Sequence, residues 1–159
     1  MFHLKDLFPL LIGLLIIYPI VSFIHILGHL FMAYLFGGKA SFQMGFGRQL
    51  IKFGKFKVNS LYFIDSYCNY TKLKWDNRVT NMLVYLGGPL FNIGTSLLIN
   101  SLILHGVIPY HTLFYQFVYF SLYFCFFSIV PVQYSKTNVS DGLAIYRILR
   151  YGSRSQIKN

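Results

Sequence analysis

The sequence predicts an α-helical integral membrane protein: a three-span core with a small membrane-associated β hairpin between spans one and two. Three observations carry this prediction. Hydrophobic residues make up 55% of the chain and charged residues only 11%, where a soluble domain would be nearer a quarter charged. Three runs are long and apolar enough to cross a bilayer. The basic residues are sorted by connection, as expected where one side of a membrane faces the cytoplasm.

Span one covers about residues 7–36. That exceeds the roughly 20 residues a bilayer needs, so the span is tilted, bent or interrupted. Pro9 lies near its start, and Pro19 is the expected kink. Only Lys5 precedes the run as a basic residue, and no small-residue cleavage signal follows, so a retained span is expected rather than a removed signal peptide. Span two covers about residues 82–104 and contains "GGPLFN". Span three covers about residues 113–131 and is mostly Phe, Tyr, Val and Leu.

Between spans one and two, residues 42–70 mix aromatic and β-branched residues with glycines, which predicts strands and a turn. A hydrophobic β segment beside a span sits at the membrane surface, or dips in where its backbone is paired. It reads equally well as a packing element and as an edge that pairs with a bound peptide. A short helix over residues 143–150 follows "SDG". Residues 1–150 then form one membrane domain, and 151–159 a flexible tail.

Eight of the 14 Lys and Arg lie between spans one and two, five lie after span three, and none lies between spans two and three. This sorting predicts a multi-pass protein with its N-terminus outside and its C-terminus in the cytoplasm. The same sorting accounts for the formal net charge of +10. The charges form no groove-facing stripe interleaved with stacking aromatics, so nucleic acid is not an expected partner. Cys68 and Cys125 are far apart and outside any C-x-x-C pair. They imply neither a disulfide framework nor a thiolate zinc site.

Within "FIHILGHLFMAYLFGG", His25 and His29 are four residues apart and project from one helix face about one turn apart. Polar side chains inside a span are costly and usually functional, and two imidazoles at this spacing suit zinc. The same pair also reads as packing residues that hydrogen-bond across helices. Asp141, in "NVSDGL", follows span three and reaches the same side and depth. A His₂–carboxylate set would leave a fourth position for water. Asp141 reads alternatively as a turn residue or a helix cap.

The quoted stretch continues to "GFG" at Gly45–Gly47. With His25, Gly28, His29, Ala33 and Gly37, it resembles the first motif of the site-2 protease family of intramembrane zinc metalloproteases. "GGPLFNIG" is similar to that family's G-P-x-x-N signature, at Gly88, Pro89 and Asn92. "IVPVQYSKTNVSDG" resembles the third motif. The three motifs span roughly residues 22–150. The resemblance implies a three-helix catalytic core with zinc held by His25, His29 and Asp141. It implies that Asn92, with Gly88 and Pro89, meets the substrate backbone or the oxyanion. It also implies a membrane-embedded peptide or protein substrate that pairs with the β segment.

The sequence departs from the family pattern at the general base. The glutamate of H-E-x-x-H is replaced by Ile26, and all four acidic residues of the chain are aspartates: Asp6, Asp65, Asp76 and Asp141. Asp65, in "YFIDSY", is the one candidate substitute. Ser128, where many relatives carry asparagine, is a second departure. General acid–base catalysis is worth about 10²–10⁴-fold, so a pseudoprotease that binds without efficient cleavage is expected. Two other readings stand beside it: an active zinc metalloprotease with a non-glutamate base, and a metal-free structural membrane subunit. A membrane partner or a second copy of the chain is compatible with each.

Overall fold

The computed structural model describes residues 4–54, 56–70, 73–134 and 138–152. Helix α1 (Leu4–Ile12) runs through a π-helical turn (Gly13–Ile17) into α2 (Tyr18–Leu35). Strands β1 (Ala40–Phe53) and β2 (Phe56–Tyr70) follow, then α3 (Arg78–Leu104), α4 (Thr112–Ile129) and α5 (Asp141–Tyr151). Three helices are long and apolar enough to cross a membrane: Leu7–Leu35, Arg78–Leu104 and Thr112–Ile129. The protein is an integral membrane protein whose outward faces are apolar, as Leu97, Leu122 and Phe126 illustrate.

Local chemistry sets each helix end. The second span starts at Arg78 rather than near residue 82, because Asn77 and Thr80 form a reciprocal capping box that begins the helix before the apolar run does. The third ends at Ile129 rather than residue 131. Val130 is extended (φ −60°, ψ 125°), as the residue before Pro131 is pushed to be. Helix α5 starts at Asp141 rather than 143 and includes Tyr151, which the sequence assigns to the tail. Gly152 closes it in the left-handed conformation at φ 74°. Residues 153–159, the rest of the expected tail, lie outside the described residues.

Span one is interrupted by the π turn that ends two residues before Pro19. In the π turn the Tyr18 N–H reaches back five residues to the Gly13 carbonyl. Pro19 has no N–H to give to the Leu15 carbonyl one turn earlier. The Tyr62 hydroxyl of β2 donates there instead, at 3.3 Å. Gln116 of α4 donates to the Pro9 carbonyl at 3.0 Å. Side chains from other elements thus serve the backbone that the interruption exposes, as an apolar surrounding demands.

The two strands form one antiparallel hairpin with a register broken by bulges. Its inner face meets α2 in a core of Ile26, Leu30 and Ala33 with Ala40, Phe42, Met44, Tyr70, Leu73 and Val84. On another side, α2 crosses α3 at Gly28 and Gly87. A Cβ on either glycine would run into the other's carbonyl group. The two backbones therefore touch directly, a close approach that only small residues permit. This crossing brings α3 up to the histidines.

Candidate metal centre

Helix α2 presents His25 and His29 one turn apart, at 5% and 7% exposure. The loop after α4 brings Asp141 to them. That Asp141 is free to do so depends on its neighbour. Ser140 caps α5, accepting from Leu143 N at 3.1 Å, and also accepts from Val132 N at 3.0 Å. The helix cap is Ser140, so Asp141 need not serve as one. At Gly142 a side chain would collide with the carbonyl end of α4 at Ile129. The Asp-Gly pair therefore lets α5 start hard against α4.

Three ligand atoms converge. His25 Nε2 and His29 Nε2 lie 3.0 Å apart. Asp141 Oδ2 lies 3.0 Å from the first and 3.3 Å from the second. Zinc bonds of about 2.0–2.2 Å at tetrahedral angles separate donors by roughly 3.3 Å, so the spacing suits such an ion. Among the described residues these three form the group of His, Cys, Asp and Glu side chains that could hold a metal.

A second observation agrees. A Cβ built on Gly88 would lie 2.5 Å from Nε2 of both histidines. The space beside the donors is therefore kept open by the lack of a side chain there, and zinc fits the residues present.

The surrounding groups orient the donors. His29 Nδ1 donates to the Val84 carbonyl at 2.7 Å, which leaves its Nε2 lone pair directed at the cluster. The Asn92 amide lies 3.3 Å from His25 Nδ1. Ser128 donates a short hydrogen bond to Asp141 Oδ2. The ring of Phe124 lies 4.8 Å from that of His25. Burial alone would push the Asp141 carboxyl up. When both imidazoles instead carry a proton on Nε2, the field of His29 and their hydrogen bonds outweigh it and hold the group well below the usual carboxylate range.

Ile26 is 2% exposed and belongs to the apolar core under the hairpin. Gly88 and Pro89 are buried, and Asn92 is fully buried against His25. Asp65 falls on β2, and its side chain lies outside the described residues. The Val84 carbonyl went unforeseen, since a backbone acceptor leaves no mark in the sequence. Ser128 stood out as a departure, but its contact with Asp141 did not.

Residues 12–153 match the profile of peptidase family M50, the site-2 protease family. The chain belongs to this family. A membrane protein of Bacillus subtilis (strain 168), described as the uncharacterized membrane protein YwmF, is 52% identical over 157 residues, covering 99% of each chain. No solved structure matches. M50 members are zinc metalloproteases, and the His25–His29–Asp141 cluster lies inside the matched region. So does Ile26, at the position where the M50 helix carries its glutamate.

Proposed function

We propose that this M50 protein is a pseudoprotease: it holds zinc through His25, His29 and Asp141 and binds a membrane-embedded peptide or protein without efficient cleavage. The observation that carries the reading is the environment of Ile26. The residue at the base position is apolar, 2% exposed, and packed among Phe42, Met44, Tyr70 and Val84. No glutamate exists elsewhere in the chain.

Zinc, when bound, supplies a Lewis acid and lowers the pKa of water it holds. The chain's own residues cover only part of what hydrolysis requires. His29 is fixed with its lone pair inward by Val84, and Asp141 is steadied by Ser128. Among the described residues no further carboxylate stands beside them to take a proton from water and return it to a leaving amine, a role worth about 10²–10⁴-fold. Binding rests on the hairpin, whose strands offer peptide-pairing edges, and on the α3 segment at Gly88 and Pro89. The basic residues on the connections support a cytoplasmic C-terminus and an external N-terminus.

The test has two arms. Metal analysis of detergent-purified protein is expected to give about one zinc per chain, lost in a His25→Ala/His29→Ala variant. The zinc-loaded protein, incubated with labelled casein and tagged single-span peptides, is expected to capture peptide without cutting it. Cleavage that disappears in the histidine variant would show an active protease with another base. Absence of zinc after reconstitution would leave a metal-free membrane subunit.

A further inference from the structure

We infer that Asn92 is a positioning residue for the metal ligand His25: its amide oxygen fixes the imidazole with the proton on Nδ1 and the Nε2 lone pair directed at the metal. This rests on the metal-holding reading above, and it gives Asn92 a different task from meeting a substrate.

The two histidines differ in what their Nδ1 atoms face. The Nδ1 of His29 faces a backbone carbonyl, which can only accept, so its tautomer is settled. The Nδ1 of His25 faces a side-chain amide, which can either donate or accept. With Asn92 Nδ2 turned to the ring, His25 Nδ1 accepts and its proton sits on Nε2, 3.0 Å from Asp141. That arrangement blocks one of the three donor atoms. With the amide turned by half a rotation, Oδ1 accepts from Nδ1–H and the lone pair of Nε2 becomes available.

Three features favour the second arrangement as the one that binds metal. Asn92 is 0% exposed, so water cannot stand in for it. Its Oδ1 is buried without a hydrogen-bond partner, so no bond at that end resists the half-turn. Metal-bound histidines almost always donate their other ring N–H to an acceptor, and Asn92 Nδ2 is the side-chain partner at His25 Nδ1. A half-turn of the amide thus exchanges a proton-holding His25 for a metal-holding one.

The deciding comparison is Asn92→Asp against Asn92→Leu, each purified in detergent as the full chain and titrated with zinc. A carboxylate only accepts, so Asn92→Asp locks the required tautomer, and its charge offsets the surplus positive charge of one divalent ion with one carboxylate. It is expected to hold zinc at least as tightly as the wild type. Leucine has a similar shape and no acceptor, and Asn92→Leu is expected to bind zinc about 10–100-fold more weakly. A merely structural Asn92 predicts the reverse order, with leucine tolerated and the buried charge disruptive.

Should Asn92→Leu fail to fold, weaker binding by Asn92→Asp alone overturns the inference. Histidine ¹⁵N spectra give a readout independent of the titration. His25 in the zinc-loaded wild type is expected to carry its proton on Nδ1, and metal-free Asn92→Asp is expected to do the same. Zinc bound equally by wild type and Asn92→Leu sinks the positioning role while leaving the metal site standing. No zinc in the wild type removes the metal reading and this inference together.

Discussion

His25 and Ile26 are neighbours in sequence, yet they face different neighbours around helix α2, about 100° apart. The side toward α3 and α5 gathers polar groups: two imidazoles, a carboxylate, a serine hydroxyl and a buried amide. The side toward the hairpin gathers aromatic and aliphatic groups around Ile26. Here each side does one thing. On the proposed reading, holding a metal and moving a proton are separable demands, and the chain keeps the residues for the first without the glutamate for the second.

If the two sides are independent, substitutions on one should move metal binding and leave stability, and those on the other should do the reverse. The largest effect is expected from Asp141→Ala. It removes one of three donors and should abolish stoichiometric zinc in metal analysis while the protein still runs as a folded species in size exclusion. Next is Ile26→Glu, which sets an unpaired carboxylate among apolar groups and should cost about 3–5 kcal/mol. Thermal unfolding in detergent is expected to show this loss, and casein to remain uncut. Restored cleavage would mean the hairpin side still opens to the metal, and the division would fail.

Smaller changes sharpen the same contrast. Ser128→Ala removes the hydroxyl that steadies Asp141 and is expected to weaken zinc about 10-fold, the lower end for such supporting groups, with little change in unfolding temperature. Tyr62→Phe deletes the hydroxyl that reaches the Leu15 carbonyl. It should cost about 0.5–1.5 kcal/mol and leave zinc affinity unchanged in the same titration.

These sites differ in how far the sequence reveals them. His25 and His29 are legible because a 3.6-residue repeat forces positions four apart onto one face. Asp141 is legible because charge sorting puts it on the same side of the membrane. The three spans show in hydropathy alone, but their ends do not. Asn77, Ser140 and the Val130–Pro131 step set those ends through hydrogen bonds and backbone sterics, which hydropathy does not register. The π turn is out of reach for another reason: the side chains that serve it come from residues 47 and 107 positions away. The supporting contact at Val84 is a backbone carbonyl, and every residue has one.

The interrupted first span also sets an order of events during biosynthesis. Lipid offers its backbone no hydrogen bonds, and the carbonyl that Pro19 cannot serve is answered by Tyr62. A second tie, from Pro9, waits for Gln116. As the first helix leaves the ribosome, neither side chain has yet been made. Those two ties can therefore form only after the hairpin and the third span have been translated.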